Sequence, residues 1–162
     1  MRRQLAEHSV LSYRLLWFES SPPASYPVRA LAAITTHDLP TVSGLWTGAD
    51  LRAQAEIGLA PNVAATSAVK DRLQNWLGLA DDTETDRVAE EAYGLLAGAP
   101  SAILAATLED ALGVDTRPNM PGTIDEWPNW CQPLPLPLEQ IENDPRVDAV
   151  AAKLNRGGGV EP

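Results

Sequence analysis

The residue pair His37-Asp38 stands directly after an unbroken apolar run, Ala30-Leu31-Ala32-Ala33-Ile34-Thr35-Thr36, and directly before Leu39-Pro40-Thr41. A polar pair on a fixed turn after a buried run must find hydrogen-bond partners, because an unpaired buried polar group is costly. A second apolar run, Ser101-Ala102-Ile103-Leu104-Ala105-Ala106-Thr107-Leu108, ends in Glu109-Asp110, and an earlier one, Val10 to Phe18, ends in Glu19. Carboxylates at the ends of buried runs form a catalytic rim when the runs are parallel strands. Glu19, followed by Ser-Pro-rich chain, reads as a local cap. Trp17, Trp46, Trp127 and Trp130 flank the acids in sequence order. Aromatic faces beside carboxylates suit a carbohydrate, the rings packing on pyranose faces and the acids binding hydroxyls. Trp76 reads as core.

These groups must be carried by some scaffold. The run 30–36 shows no polar alternation, so both its faces should be buried, as in parallel strands covered by helices. The runs 10–18, 30–36 and 101–108 therefore predict three parallel strands with Asp38 and Glu109 at one edge, an α/β arrangement. Ser20 to Pro27 is turn chemistry. Between the second and third runs the period becomes helical, with a short helix around Leu45-Trp46 and another through Leu51, Ala55 and Leu59. A third is capped by Asn62, striped with Val69, Leu73, Trp76 and Leu77, and ended by Gly78. A fourth spans Asp81 to Ala97 and buries Val88, Ala92, Leu95 and Leu96. The acids Asp81, Asp82, Glu84, Asp86, Glu90 and Glu91 read as its solvated side, favoured near a helix N-terminus. Asn119 to Thr123 is a turn, and Pro133 to Leu138 is extended, packed chain. A last helix begins at Asp144-Pro145 and buries Val147, Val150, Ala151 and Leu154. Residues 1–156 read as one segment and 157–162 as a disordered tail.

Composition limits the partners. The chain has 162 residues and a formal net charge of −10. That excludes a sequence-independent nucleic-acid binder, which needs a basic face, and disfavours an anionic membrane. No apolar run approaches a membrane span, and Met1-Arg2-Arg3-Gln4 does not lead into a signal-peptide core, so the cytoplasm is the expected location. One cysteine, Cys131, and two histidines, His8 and His37, leave no Cys- or His-rich metal site.

Three segments carry a family resemblance. Ile34-Thr35-Thr36-His37-Asp38-Leu39-Pro40-Thr41 resembles the last conserved catalytic segment of the amylomaltases, the 4-α-glucanotransferases of glycoside hydrolase family 77. Leu108-Glu109-Asp110-Ala111-Leu112-Gly113 is similar to the segment after that family's last barrel strand. Asn119-Met120-Pro121-Gly122-Thr123 followed by Pro128-Asn129-Trp130 is similar to its closing segment. The likeness runs from about residue 9 to about 155 and is nearest to actinobacterial forms.

It implies the C-terminal part, about strands six to eight with their helices, of a (β/α)8 TIM barrel. It implies a retaining transfer of α-1,4-glucan segments between maltooligosaccharides, with no metal and no organic cofactor. Asp38 matches the transition-state-stabilising carboxylate. His37, Glu109, Asp110, Asn119, Pro121, Gly122, Trp127 and Trp130 match positions expected to bind sugar. The family's nucleophile and acid/base lie upstream of residue 1, so the missing N-terminal barrel part is an implied partner and the isolated chain is expected to be inactive. At Trp130-Cys131-Gln132 many relatives carry a basic residue, which this chain lacks. The competing expectations are a non-catalytic remnant with weak or no glucan binding and a hydrolase of the related barrel superfamily.

Overall fold

A computed structural model describes residues 2–156. Its centre is a sheet of three parallel strands, β1 (Ser12–Leu15), β2 (Ala30–Ala33) and β3 (Ile103–Ala105), in the spatial order β1-β2-β3. The register pairs Leu15 with Ala33 and Ala33 with Ala105. All three strands thus end at one edge, and the turn after β2 and the chain after β3 both leave from it.

The strands are shorter than the apolar runs that announced them. Leu16-Trp17-Phe18 turns away after β1, although Leu16 N–H still donates to the Ala33 carbonyl at 2.9 Å. After β3, Thr107 accepts the Asp110 amide on its hydroxyl and starts a helical turn, so Leu108 is helical rather than extended. The β1–β2 connection is a loop with one 3-10 turn at Pro23–Ser25, in keeping with its prolines.

Helices α1 (Arg2–Glu7), α2 (Val42–Thr47), α3 (Ala49–Glu56), α4 (Val63–Leu77), α5 (Thr85–Ala97), α6 (Leu108–Ala111), α7 (Leu138–Ile141) and α8 (Pro145–Leu154) complete the described chain. Asn62 caps α4 by accepting the Ala65 amide, and Gly78 closes it at φ 65°. Ala55 is exposed on α3, and Leu59 lies beyond that helix. Helix α5 begins at Thr85, four residues later than the acidic run suggests, because Asp81-Asp82 form a turn and Lys70 ion-pairs with Asp81 at 2.6 Å. Its stripe Val88, Ala92 and Leu96 is buried together with Ala89 and Tyr93. Asp144 caps α8 by accepting the Arg146 amide. Val150 is buried and packs towards α5 with Val147 and Leu154, whereas Ala151 is exposed, one position round from the contact. Helix α7 forms where Pro133 to Leu138 ends and was not expected. The tail reading for 157–162 lies outside the described residues.

The core packs Ile34, Val42, Leu45, Trp46, Leu73, Val88, Tyr93 and Leu96 on one side of the sheet. Each fully buried aliphatic there contributes about 1.5–3 kcal/mol of transfer free energy. The other side differs. The cross-strand row Tyr13, Leu31 and Ile103 stands on it, with Tyr13 55% and Ile103 46% exposed. A parallel sheet is ordinarily covered on both faces; among the described residues this one is covered on one.

Candidate active site

The turn after β2 is held from below. Thr35 Oγ1–H and Trp17 Nε1–H both donate to the Pro40 carbonyl at 2.8 Å. The Asp38 amide donates to Thr36 Oγ1 at 3.3 Å and the Leu39 amide to the Thr36 carbonyl at 3.1 Å. Thr41 then caps α2 by accepting the Gly44 amide. Gly44 is required by close approach: a Cβ there would sit 2.5 Å from the Asp115 carbonyl oxygen. The result is a rigid stem presenting His37 and Asp38, both about half-exposed, at the strand ends.

The segment 117–119 closes on that stem. The Asn119 amide donates to the His37 carbonyl at 3.1 Å, and Asn119 Nδ2 donates to Asp38 Oδ1 at 2.6 Å. His37 Nε2 lies 3.5 Å from the same oxygen. The Trp130 amide donates to the Pro118 carbonyl at 2.9 Å, which brings the indole against His37 with ring centroids 4.6 Å apart and planes tilted by 54°. Trp130 adopts φ 61°, in the left-handed region, where a non-glycine residue costs about 1–2 kcal/mol. Its side chain is nonetheless 64% exposed. A strained backbone that displays an aromatic face at a cleft is the pattern found at ligand sites.

The cleft itself encloses about 510 Å³. His37, Glu109, Trp130 and Gln132 line it with Thr36, Thr107 and Tyr93, and its floor includes Tyr13, Ala33 and Ala105 from the open sheet face. That combination of apolar floor and a few converging polar groups is the usual form of a small-molecule site.

The nine candidates separate in space. His37, Glu109 and Trp130 line the cleft; Asp38 and Asn119 are hydrogen-bonded to each other beside His37 and are not among the lining residues. Trp127 is half-buried behind them, its Nε1–H donating to the Arg117 carbonyl at 3.2 Å. Pro121 and Gly122 sit on an exposed turn and are not among the cleft-lining residues. Asp110, expected to face sugar, is 1% exposed. Its Oδ1 accepts the Val42 amide at 2.7 Å and its Oδ2 the Tyr93 hydroxyl at 2.8 Å. It therefore joins α6, α2 and α5 beneath the site rather than touching the cleft. Burial pushes its carboxyl up to about 6, against the opposing pull of the Val42 and Tyr93 donors. Burial, with the Asp110 charge beside it, raises the Tyr93 phenol well above its ordinary value.

Trp17 and Trp46 are also corrections. Both are core residues, 5% and 4% exposed, with their indole N–H groups given to the Pro40 and Thr83 carbonyls. Glu19, expected as a cap, is instead ion-paired to Arg14 at 2.9 Å, and the following 3-10 turn has no side-chain cap. The residues that sequence reasoning missed are Tyr93, Asp50 and Arg117. Tyr93 sits among alanines on the buried side of α5, where its hydroxyl required a partner. Among the described residues, no group of three or more His, Cys, Asp and Glu could hold a metal ion, and no helix is long and apolar enough to cross a membrane.

The family model described as 4-alpha-glucanotransferase, glycoside hydrolase 77, matches residues 1–138. The chain belongs to glycoside hydrolase family 77. A 4-alpha-glucanotransferase of Mycobacterium tuberculosis is 36% identical over 93% of this chain and 25% of its own length. The Haemophilus influenzae 4-alpha-glucanotransferase is 25% identical over 99% of the chain and 26% of its own. Amylomaltase from Corynebacterium glutamicum superposes with a TM-score of 0.82 at 26% identity, over 96% of this chain and 27% of that one. The acarbose complex of Streptococcus agalactiae amylomaltase shares the fold, with a TM-score of 0.60 at 18% identity. The chain spans about a quarter of the length of the curated relatives it matches.

Proposed function

We propose that this chain is the C-terminal part of a 4-α-glucanotransferase barrel, with β1, β2 and β3 as its sixth to eighth strands, acting on maltooligosaccharides or longer α-1,4-glucans. The observation that carries this is the bond from Asn119 to Asp38, which draws two segments far apart in sequence together at the strand ends beside His37 and Trp130. The open sheet face and the quarter-length match to the relatives support a barrel completed by further strands.

In this reading Asp38 faces the reacting sugar, His37, Asn119 and Glu109 take its hydroxyls, and Trp130, backed by Trp127, packs on a pyranose face. Two further carboxyl groups belong to the missing strands, about 5–5.5 Å apart in a retaining site. One attacks the anomeric carbon and forms a glucosyl ester. The other gives its proton to the departing 4-oxygen, then takes one from the incoming acceptor 4-hydroxyl as the ester is displaced. Both steps pass through a cationic sugar, and in this reading the Asp38 carboxylate opposes that charge. Asp110 and Arg117 support the site and do not contact sugar.

The test joins this chain to the upstream three-quarters of the mycobacterial relative and measures glucose released from maltotriose. The chimera should be active and the isolated chain inactive. Asp38→Asn keeps the shape and removes the charge, so turnover should fall by about 10²–10³, the usual loss for one preorganised electrostatic contact. His37→Ala should cost less, since a neutral hydrogen bond is the weaker one. Near-wild-type turnover by Asp38→Asn would remove the central residue of this proposal.

A further inference from the structure

Arg117 and Asp50 form an ion pair in the interior, 8% and 3% exposed in their side chains. Arg117 Nε donates to Asp50 Oδ1 at 2.6 Å and its Nη2 to Oδ2, the bidentate geometry that fixes a guanidinium in plane. Gln54 Nε2 donates to the same Oδ2 at 2.8 Å. Asp50 belongs to the first turn of α3, immediately after the left-handed Gly48 that joins α3 to α2. The pair is thus anchored in the same helical unit that the His37-Asp38 turn enters.

The third donor of the guanidinium is the informative one. Arg117 Nη1 donates to the Asp38 carbonyl at 2.6 Å. The carbonyl of Arg117 accepts both Trp127 Nε1–H and Gln132 Nε2–H, the latter at 3.0 Å. The next two residues finish the arrangement, Pro118 accepting the Trp130 amide and Asn119 binding His37 and Asp38. One residue therefore grips the Asp38 backbone with its side chain and the Trp127–Gln132 loop with its carbonyl.

We propose that Asp50 and Arg117 are positioning residues, a clasp that fixes Asp38 and the Trp130 loop in one geometry for the sugar. This deepens the function proposed above and rests on it. A buried ion pair is weak support for stability, since well-packed apolar replacements are often neutral. Its position on the carbonyl of Asp38 gives it a different use: near-attack geometry is sensitive to shifts of about 1 Å, and a bidentate pair tolerates little displacement.

The test compares the wild-type chain, the double variant Asp50→Leu with Arg117→Met, and Arg117→Lys. The readouts are thermal unfolding, site-resolved amide hydrogen exchange, and calorimetric binding of maltoheptaose. The double variant leaves no unpaired buried charge, so it should unfold near the wild-type temperature, and the amides of α5 should keep their protection. The Asn119 and Trp130 amides should exchange about tenfold faster or more, and maltoheptaose should bind about tenfold more weakly, each tenfold being about 1.4 kcal/mol of lost positioning. Arg117→Lys keeps a charge opposite Asp50 but cannot bridge to Asp38 at the same time, so it should loosen the same two amides. If the double variant fails to fold, Arg117→Lys decides. Wild-type protection at Asn119 and Trp130 in a folded variant would overturn the clasp and leave the pair a purely structural one. The exchange arm contains no sugar, so an inactive chimera would overturn the proposed function while the amides still judge the clasp.

Discussion

Asp110→Asn should stabilise this protein at neutral pH and mildly destabilise it in acid. The Asp110 carboxyl is buried, and burial raises it from an ordinary 3.8 to about 6. Between those values the unfolded chain has lost the proton and the folded chain still holds it. Folding therefore takes up a proton, and stability falls as pH rises through this window. A gap of about two units at about 1.36 kcal/mol each makes the contribution about 3 kcal/mol, fully present below pH 4 and lost above pH 6. Asparagine has no such titration. Its Oδ1 can still accept the Val42 amide, but its amide faces the Tyr93 hydroxyl, which already accepts the Thr107 amide at 3.2 Å. The phenol then loses its acceptor, a cost of about 1 kcal/mol. The variant should thus be about 1 kcal/mol less stable than wild type near pH 4 and about 2 kcal/mol more stable near pH 7. Urea unfolding of both proteins at pH 4, 5, 6 and 7 and one protein concentration reads this directly, because any self-association common to both cancels in the difference. Parallel stability curves across pH 4–7 would refute the reasoning, since they would mean that residue 110 carries the same charge folded and unfolded.

Other expectations test separate parts of the fold. Tyr93→Phe removes the hydroxyl donor to Asp110 and the acceptor for Thr107, and should cost roughly 2–4 kcal/mol at pH 7, the sum of a charged and a neutral hydrogen bond; a loss under 1 kcal/mol in urea would contradict the network. Gly44→Ala sets a Cβ 2.5 Å from the Asp115 carbonyl and should cost about 1–3 kcal/mol by overpacking, seen as a lower melting temperature. Helix α8 should fray in acid. The Arg146 hydrogen bonds lower the Asp144 carboxyl to about 2, so the cap is complete above pH 4 and is lost as pH falls towards 2, which amide exchange of α8 against α5 would show or deny. The isolated chain should self-associate through Tyr13, Leu31, Ile103 and the two strand edges, and Tyr13→Lys with Ile103→Lys should reduce it; a monodisperse wild-type monomer in sedimentation velocity would contradict this.

Local signals in the sequence were enough for the elements that depend on neighbouring residues. Asn62 and Gly78 bracket α4 because a cap and a left-handed glycine act within one turn of chain. Asp144-Pro145 starts α8 for the same reason, and the unbroken run at Ala30 announces a strand, although the described residues cover its sheet on one face rather than the expected two. The hydrogen-bonded place of His37-Asp38 at the strand ends was legible because a polar pair after such a run must find partners. Strand ends were less legible, since Leu16 and Leu108 are as apolar as the strands they follow and only the register with β2 shows where pairing stops.

The tertiary structure alone decided which polar groups face the cleft and which hold it up. Glu109 and Asp110 are neighbours of the same chemistry, yet a turn of helix sends one to the cleft and the other into the core, where Val42 and Tyr93 wait from distant chain. Trp17 and Trp130 look alike in sequence, and burial separates them. Asp50 and Arg117, 67 positions apart, carry no local pattern that marks them as a pair. Side-chain partnerships across such separations arise only when helices and sheet have packed, because the free energy that selects them is the desolvation of groups that the unfolded chain leaves in water.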